Sequence, residues 1–443
     1  MGVGEIAVDE VVGIGLLGVG TVGSGVVKLL SENALQIVQR VGKRVEIKKV
    51  LERDPEKPRL LGIPRERVAD SFEAVLKDPE VQIVVELLGG IDPARGYIRE
   101  ALRQGKHVVT ANKDVIAAYG KELFEAAALG RADLYFEASV GGGIPVIRIL
   151  KESLAANRIE EVIGIVNGTT NYILTRMSEE ELDFATALRA AQAAGYAEAD
   201  PSADIEGYDA ARKIAILASI AFNTRVTPDD VFVEGISKIA PEDISYAREL
   251  GYVIKLLAIA RAREEEIEVR VHPAFLPQNH PLASVRGVFN AIFIRGNAVG
   301  ETMFYGQGAG QMPTASAVVG DIMEIIRNME SKSTGRSACT CFLEKKIRPR
   351  GKISSKYYVR LVVKDQPGVL ASIAGVFGNH QVSLASVIQK RTLVMSGEIM
   401  AEIVVITHEV QEQNIQDALV IIRGLSIVGS VENVIRVEGS GEK

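Results

Sequence analysis

The sequence predicts an α/β protein of several domains: a doubly wound parallel sheet, then an α+β region, then a ferredoxin-like domain at the carboxyl end. Three observations support this fold class. Strand-like and helix-like segments alternate through residues 1–150, which is the βαβ rhythm of a parallel sheet. Longer helical patterns mix with strands through residues 133–335. The tail then restarts in the order βαββαβ, which is the ferredoxin-like arrangement.

The amino-terminal sheet is predicted from four apolar segments, which read EVVGIGLLG, VEIKKVLER, VQIVVELLG and KHVVTAN. Short apolar runs bounded by turn residues are typical of buried parallel strands. Helical patterns lie between them, namely VGSGVVKLLSENALQIVQRV, SFEAVLKD and PARGYIREALRQG. We expect this domain to span residues 1–135 and to be completed by part of 305–335.

Three further regions follow along the chain. We expect an α+β domain at 136–335, which contains the helical patterns FATALRAAQAAG and GYDAARKIAILASIAF. A polar and basic stretch at 336–355 is predicted to be a linker. Residues 356–443 are predicted to form the ferredoxin-like domain from the segments YYVRLVVKD, GVLASIAGVFGNH, VSLASVIQKR, AEIVVITHEV, NIQDALVIIRGL and SVENVIRVEG.

Composition excludes several classes of protein. A net charge of −6 argues against a nucleic-acid partner, because such proteins need a concentrated basic face. No apolar run reaches the about 18 residues of a membrane span, and the first residues lack a basic signal region, so we expect neither a membrane anchor nor export. The only cysteines, Cys339 and Cys341, are too few for a disulfide framework. We expect them to be incidental and the protein to be cytoplasmic.

A glycine-rich loop after the first strand predicts a dinucleotide site. Gly18, Gly20 and Gly23 form the pattern G-x-G-x-x-G between a strand and a helix. The glycines allow a tight turn and let the backbone approach a pyrophosphate at the helix N-terminus. The alternative is a tight turn in another kind of α/β protein. At the end of the second strand, Arg53 and Lys57 could bind a 2′-phosphate, so we expect preference for NADP; the alternative is a solvated charged loop.

Two lysines are candidates for proton transfer. Lys113 follows the strand VVTAN, and ligands of open α/β sheets lie at the carboxyl ends of strands; the alternative is an ordinary surface lysine in a polar turn. Lys213 is four residues after Asp209, so both lie on one face of a helix. The segment 195–215 is rich in acids, namely Glu198, Asp200, Asp204, Glu206 and Asp209. These carboxylates could tune the lysine or hold a substrate ammonium; the alternative is a solvated surface with an ordinary ion pair.

Three other loops are candidate ligand contacts. The turn FEASVGGGIPVI could offer carbonyl oxygens and the carboxylate of Glu137 to a hard cation. The alternative is a strand-to-helix turn with Pro145 at the helix start. Loops at 167–174 and 306–321 combine small and hydroxyl residues ahead of helices, which would present amides and hydroxyls to a ligand.

These motifs, in order, resemble the homoserine dehydrogenase family over nearly the whole chain. The resemblance rests on GVGTVG, VVELLGG, VVTANK, FEASVGGGIPVI, NGTTNYIL, GYAEADPSADIEGYDAARK and GAGQMPTASAVVGD. It implies interconversion of L-homoserine and L-aspartate 4-semialdehyde with NADP or NAD, in threonine and methionine biosynthesis. It also implies a homodimer or homotetramer whose 136–335 domain binds substrate and pairs subunits.

The resemblance implies a role for each matching residue. Lys213 and Lys113 would be catalytic. The substrate would be bound by Glu198, Asp209, Tyr196, Asp204 and Thr169. The cofactor would contact Gly18, Val19, Gly20, Thr21, Val22, Gly23, Arg53, Lys57, Gly89, Lys113 and Gly308. A monovalent cation, sodium, would be held by Glu137 and the carbonyls of Val140, Gly142 and Ile144.

The tail segment YYVRLVVKDQPGVLASIAGVF resembles an ACT domain. Asp365 and Gly368 lie where a strand meets a helix N-terminus, a place suited to the carboxylate of an amino acid. The resemblance implies L-threonine as an effector; the alternative is a domain that only pairs subunits. We discount aspartate semialdehyde dehydrogenase, because it needs a cysteine nucleophile and Cys339 and Cys341 lie in the linker region, far from every candidate site. One other function stays open, a non-catalytic NADP-binding sensor that uses the ACT domain.

Overall fold

The computed structural model describes residues 10–336, 338–395 and 398–439. The chain divides into two compact units. The first unit comprises Met1–Val162, Arg212–Asp230 and Asn290–Glu344, and the second comprises Ile163–Ala211, Val231–Phe289 and Lys345–Lys443. Among the described residues, no helix combines the length and the apolar character that crossing a membrane requires.

The amino-terminal part alternates strands and helices as the sequence predicts. Its elements are β1 (Val11–Leu17), α1 (Thr21–Glu32), α2 (Ala34–Val41), β2 (Arg44–Leu51), α3 (Glu56–Leu60), β3 (Val68–Ala69), α4 (Phe72–Leu76), β4 (Ile83–Glu86), α5 (Ala94–Arg103), β5 (His107–Thr110), α6 (Lys113–Gly130) and β6 (Leu134–Tyr135).

The middle of the chain contains longer helices and strands. They are β7 (Ile159–Ile165), α7 (Gly168–Glu180), α8 (Phe184–Ala193), α9 (Ser202–Ile205), α10 (Tyr208–Ala221), β8 (Phe232–Val233), α11 (Pro241–Glu249), β9 (Tyr252–Arg263), β10 (Glu266–Pro277), β11 (Phe289–Gly296), β12 (Gly300–Gln307) and α12 (Gln311–Ser331). The last part has β13 (Lys346–Ile347), β14 (Ser354–Lys364), α13 (Val369–Asn379), β15 (Leu384–Met395), β16 (Glu398–Thr407), β17 (Val410–Gln411), α14 (Glu412–Gly424) and β18 (Val428–Val437).

The first unit is built on a six-stranded sheet in the order β3-β2-β1-β4-β5-β6. All of its pairs are parallel, and β1 lies between β2 and β4. The order reverses at β1, which is the doubly wound arrangement that places ligands at the carboxyl ends of the strands. The apolar face of α12 packs into the same core, through Ala315, Val318, Ile322 and Ile326. The predicted Rossmann-type fold is therefore confirmed.

One predicted helix is divided in the structure. The pattern from Val22 to Val41 was expected to be a single helix, but α1 ends at Glu32 and α2 begins at Ala34. The residue between them, Asn33, donates its backbone N–H to Leu29 at 3.0 Å and leaves the helical region at ψ 18°. Asn is frequent at caps and turns, but the Asn33 side chain makes no capping hydrogen bond here.

The carboxyl-terminal part of the second unit has the expected βαββαβ order. Its strands pair antiparallel in the order β18-β14-β16-β15. Helices α13 and α14 pack on this sheet, with Ile373, Phe377, Ile415 and Leu419 buried against its strands. Strand β18 also pairs with β10, which joins this sheet to the β9–β10 hairpin. The predicted ferredoxin-like fold of the tail is confirmed.

Candidate active site

The three glycines of the amino-terminal loop meet three different demands. Gly18 has φ +91°, and a Cβ there would lie 2.9 Å from the carbonyl oxygen of Leu87. A Cβ on Gly23 would lie 2.2 Å from the carbonyl oxygen of Gly18. Gly20 caps α1 without a side-chain hydrogen bond, and a Cβ on it would meet nothing within 4 Å. The loop therefore leaves an open approach to the amides of the α1 N-terminus, which suits a pyrophosphate.

The rest of this loop is fixed by the acid that follows β2. The backbone N–H of Val19 donates to Glu52 Oε2 at 2.9 Å, while Thr21 and Val22 form the first turn of α1. Burial opposes ionisation of Glu52, but the amides of Val19 and Asp54 outweigh it and lower the pKa of Glu52. This role of Glu52 was not predicted, because nothing local in the sequence pairs it with Val19.

The two predicted phosphate-binding cations differ in their surroundings. Lys57 Nζ lies 3.8 Å from Glu52 Oε1, so its charge is directed at the acid that fixes the loop. Arg53 is exposed at the end of β2. Within the described part of the chain, no ion pair involves Arg53. Of the two, Arg53 is therefore the better placed to bind an anionic ligand.

A buried acid fixes the ends of β4 and β5. Glu86 is fully buried, and its Oε2 accepts a hydrogen bond from Thr110 Oγ1 at 2.6 Å. Its Oε1 accepts from the backbone N–H of Leu88 at 2.8 Å. Burial raises the pKa of Glu86, and these donors partly oppose that shift. The loop after β4 includes Gly89, whose φ of +74° and open Cβ position fit a close ligand contact.

Lys113 begins the helix that follows β5. The residue before it, Asn112, caps α6 by accepting from the N–H of Val115 at 3.2 Å, and its Nδ2 donates to the carbonyl of Gly90 at 2.6 Å. A cation in the first helical turn gains nothing from the helix dipole, which favours acids there. The position of Lys113 is therefore not explained by the stability of α6.

An ion pair joins the helices that carry the two candidate lysines. Arg212 Nε lies 2.7 Å from Asp114 Oδ1. Asp114 follows Lys113 in the first turn of α6, and Arg212 precedes Lys213 in α10. The first turn of α6 is thus adjacent to the second turn of α10, within the first unit. The structure brings Lys113 and Lys213 to one region although 100 residues separate them in the sequence.

In the second unit, an asparagine gathers two of the predicted carboxylates. Asn167 Nδ2 donates to Asp204 Oδ1 at 2.7 Å and to Asp209 Oδ2 at 2.8 Å. Its Oδ1 accepts from the N–H of Thr170 at 2.9 Å, which caps α7. Asp209 is only 8% exposed. Two carboxylates held together in this way form a ready site for a cation such as a substrate ammonium.

The other predicted substrate residues lie beside this cluster in the chain. Thr169 Oγ1 donates to the carbonyl oxygen of Tyr196 at 2.6 Å, and the Tyr196 ring lies 4.9 Å from that of Tyr172. Glu198 is exposed, and its backbone carbonyl accepts from Gln192 Nε2 at 3.2 Å. Among the described residues, none makes a hydrogen bond or ion pair with the Glu198 carboxylate. Its charge is therefore available to a ligand.

The predicted cation loop surrounds a buried carboxylate. Glu137 Oε1 and Oε2 accept from the backbone N–H groups of Ile147 at 2.7 Å and Arg148 at 2.8 Å. Burial raises the pKa of Glu137, and these amides partly oppose the shift. The carbonyl oxygens of the other predicted ligands receive no hydrogen bond from any described residue; these ligands are Val140, Gly142 and Ile144. Each carboxylate oxygen keeps a lone pair, so the donor set fits a monovalent cation.

A second buried acid, which the sequence analysis did not single out, supports this loop. Asp321 Oδ2 accepts from the N–H of Glu137 at 2.8 Å, and its Oδ1 lies 3.0 Å from Arg148 Nη2. Burial, together with the charge of Glu137, raises the pKa of Asp321 to about 8. Asp321 lies ten residues into α12, where Glu324 and Asn328 are also buried, so nothing local in the sequence links it to Glu137, 184 residues away.

The glycine-rich loop that precedes α12 packs directly on the predicted cation-binding loop around Gly142. A Cβ on Gly142, which has φ +56°, would lie 2.5 Å from the carbonyl of Gly308. A Cβ on Gly308 would lie 1.9 Å from Asn290 Nδ2. The N–H of Gly143 donates to the carbonyl of Gln307 at 3.1 Å. These contacts place Gly308, the predicted cofactor residue, against the loop of Gly142.

The predicted regulatory residues lie at the start of α13. Gly368 caps this helix with φ +89° and no side-chain hydrogen bond. Asp365 Oδ1 accepts from Gln389 Nε2 at 3.4 Å. No side chain at the N-cap position therefore hydrogen-bonds to the first amides of α13. This arrangement fits the predicted site for the carboxylate of an amino acid.

Comparison with known proteins gives consistent matches along the chain. The family model described as "Homoserine dehydrogenase, NAD binding domain" matches residues 18–137, "Homoserine dehydrogenase" matches 145–323 and "ACT domain" matches 357–425. A homoserine dehydrogenase of Bacillus subtilis is 46% identical over 97% of this chain and 98% of that protein.

Two solved structures are also similar. A homoserine dehydrogenase from Thiobacillus denitrificans has a TM-score of 0.92 and 41% identity, and the match covers 98% of this chain and 99% of that chain. A hyperthermophilic archaeal homoserine dehydrogenase in complex with NADPH has a TM-score of 0.61 and 30% identity over 71% of this chain and 97% of that chain.

Proposed function

Because this chain belongs to the homoserine dehydrogenase family, we propose that it interconverts L-homoserine and L-aspartate 4-semialdehyde with Lys213 as the proton-transfer group. The protein is an oxidoreductase, and the non-catalytic sensor is not favoured, since its relatives are dehydrogenases. The rival semialdehyde dehydrogenase is likewise not favoured by these matches. The observation that carries the proposal is the ion pair between Asp114 and Arg212, which brings the turns of Lys113 and Lys213 together.

The substrate is held by its ammonium group. Asp204 and Asp209 share the amide of Asn167, and the exposed Glu198 adds a third carboxylate. Asp209 and Lys213 are one turn apart on α10, so their side chains can contact the two ends of a four-carbon amino acid. Lys213 accepts the hydroxyl proton during oxidation and returns it during reduction. Lys113 and Thr169 position the substrate hydroxyl and backbone.

A nicotinamide dinucleotide, when bound, supplies or accepts the hydride. The amino-terminal domain is an NAD-binding domain. Gly18, Gly20 and Gly23 would hold its pyrophosphate against the N-terminus of α1. Arg53, which no described ion pair engages, supports a preference for NADP, and a related enzyme was solved with NADPH.

The cofactor preference is tested with Arg53→Ala. We expect kcat/KM for NADP to fall by at least tenfold while kcat/KM for NAD is nearly unchanged, because one charge-assisted contact contributes about 1.5–3 kcal/mol. Arg59→Ala is the matched control, since Arg59 is exposed in the same region but pairs with Glu56 at 2.5 Å. An unchanged NADP to NAD ratio in Arg53→Ala would exclude this role.

The loop of Glu137 is proposed to bind sodium through one carboxylate and the carbonyls of Val140, Gly142 and Ile144. Hard oxygen donors of this kind suit such a cation. Thermal unfolding in sodium chloride should occur at a higher temperature than in tetramethylammonium chloride at equal ionic strength. Equal transition temperatures in the two salts would contradict the proposal.

The ACT domain is proposed to bind L-threonine near Asp365 and Gly368 and to pair subunits in a homo-oligomer. The uncapped N-terminus of α13 supports the first part. Calorimetry on the full chain should detect threonine binding that Asp365→Ala weakens. Absence of threonine binding would leave subunit pairing as the domain's role, which light scattering tests separately.

The proton-transfer role is tested with Lys213→Met. A lost proton-transfer group costs about 10²–10⁴-fold in rate. The rate of homoserine-dependent NADPH formation, followed by absorbance at 340 nm, should therefore fall by that factor. NADPH fluorescence should show unchanged cofactor affinity. Lys121→Met is the matched control, since Lys121 is an exposed lysine of α6 and its loss should leave turnover unchanged. Full turnover by Lys213→Met would exclude this role.

A further inference from the structure

The two cysteines lie against the end of the helix that carries Lys213. Residues 339–343 contact the last turn of α10 and the residues just after that helix at four points. Cys341 Sγ donates to the carbonyl of Ser219 at 3.7 Å, and Asn223 Nδ2 donates to the carbonyl of Thr340 at 3.1 Å. The N–H of Leu343 donates to the carbonyl of Asn223 at 2.8 Å. Arg225 Nη2 lies 3.7 Å from Cys339 Sγ.

The surroundings of Cys339 are electropositive. Besides Arg225, the cavity next to it is lined by Lys151, whose Nζ lies over the rings of Phe124 at 5.3 Å and Phe136 at 5.6 Å. Burial lowers the pKa of Lys151 to about 8. The neighbouring Cys341 side chain, then the Cys341 N–H and the two cations, lower the pKa of Cys339, although burial opposes them. The same pairing raises the pKa of Cys341.

Both thiols can be reached from solvent. Cys339 is exposed and Cys341 is half-buried. Both line a cleft of about 690 Å³ along the outer face of α6. Reactive cysteines typically combine a nearby cation with partial exposure of this kind, whereas buried structural cysteines do not.

We propose that Cys339 and Cys341 form an oxidisable thiol pair, in which Cys339 reacts first with a peroxide and Cys341 resolves the product. The Cys339 thiolate attacks one peroxide oxygen, the O–O bond breaks, and hydroxide leaves with a sulfenic acid on Cys339. The Cys341 sulfur then attacks Cys339, water leaves and a disulfide forms. Two thiols are oxidised by two electrons, and one hydrogen peroxide is reduced to two waters.

The disulfide would change the contacts at the end of α10. Cys341 would lose its hydrogen bond to the carbonyl of Ser219, and Arg225 would lose its anionic partner. Because α10 carries Lys213 and Asp209, oxidation should lower turnover reversibly. The thiol chemistry itself does not depend on the proposed reaction, so the two can be tested separately.

Mass spectrometry of the full-length protein tests the proposal. After one equivalent of hydrogen peroxide at pH 7, we expect the intact mass to fall by two hydrogens and dithiothreitol to restore it. Cys341→Ser should instead accumulate a dimedone adduct at residue 339. Cys339→Ser should react with peroxide at least tenfold more slowly, since an ordinary thiol with a pKa near 8.5 is only about 3% thiolate at pH 7.

Arg225→Met and Lys151→Met probe the electropositive setting without removing a thiol. Each should move the pH midpoint of Cys339 alkylation by iodoacetamide upward. Circular dichroism verifies that the variants fold. Three results would each overturn the proposal: an alkylation midpoint of Cys339 near 8.5 in the unsubstituted protein, equal peroxide rates for the two single-cysteine variants, or a disulfide that non-reducing electrophoresis shows to link two chains.

Discussion

Replacement of Asn167 by alanine tests whether one amide organises the substrate carboxylates. The Asn167 side chain makes four hydrogen bonds of 2.9 Å or less: two donated to Asp204 and Asp209, and two accepted from the N–H and the Oγ1 hydroxyl of Thr170. Alanine removes all four. Asp204 is half-buried and can be rehydrated, but Asp209 is 8% exposed and would be left next to another carboxylate without the shared donor.

The expected magnitudes follow from these contacts. Loss of an N-cap costs about 1 kcal/mol of stability, and loss of a hydrogen bond to a buried charge costs about 1.5–3 kcal/mol. The free energy of unfolding should therefore fall by roughly 2–4 kcal/mol. If the displaced carboxylates bind the ammonium less well by about 1.5–3 kcal/mol, kcat/KM for homoserine should fall roughly 10- to 100-fold, at about 1.4 kcal/mol per factor of ten.

The assay compares homoserine and cofactor kinetics in Asn167→Ala and in Asp183→Ala. Asp183 caps α8 by accepting from the N–H of Thr186 at 2.8 Å, so this control loses a cap without touching the carboxylates. The KM for NADP should stay within about twofold in both variants. If Asn167→Ala keeps kcat/KM for homoserine at the level of Asp183→Ala, the amide does not organise the site and the reasoning is refuted.

Two further predictions concern the glycine loop and a buried acid. Gly20→Ala should fold with unchanged stability but bind NADP at least tenfold more weakly, whereas Gly23→Ala should lower the unfolding temperature. The reason is that only the Cβ at position 23 meets protein, at 2.2 Å. Equal unfolding temperatures by calorimetry and equal NADP affinities by titration for the two variants would contradict this. Burial opposes ionisation of Glu412, but Arg436, Tyr357 and Arg350 lower its pKa to about 2. Its contribution to stability is present above the ordinary pKa of 4.5 and is lost as pH falls toward 2. Urea unfolding between pH 2.5 and 6 should show a steeper acid loss in the unsubstituted protein than in Glu412→Gln, by up to about 3 kcal/mol, and parallel curves would exclude the effect.

The fold could be predicted from the sequence largely because its signals are local. Four strands of the first sheet were predicted from apolar segments next to turns, whereas β3 and β6, of two residues each, were not. The predicted roles of Gly18, Gly20 and Gly23 follow from their spacing. The break at Asn33 was missed because the apolar pattern continues across it. The break is a departure of the Asn33 backbone from helical ψ, without a side-chain cap, and apolar periodicity does not detect it.

The candidate site was only partly predictable, because its supporting residues act across long sequence distances. Glu52 is 33 residues from Val19, and Asp321 is 184 residues from Glu137. Asn167 lies in a quoted motif, yet nothing local pairs it with Asp204 and Asp209. The two cysteines were predicted to be incidental, because Arg225 approaches Cys339 only in the folded chain, from 114 residues away.

A crystal structure of the full chain with NADP and L-homoserine would test the central claim most directly. The account predicts that Lys213 Nζ lies within about 3.2 Å of the substrate hydroxyl oxygen, a hydrogen-bonding distance. It also predicts that the substrate ammonium faces Asp209 and that Lys113 borders the same ligand. Density for homoserine in a place that neither lysine reaches would contradict the account.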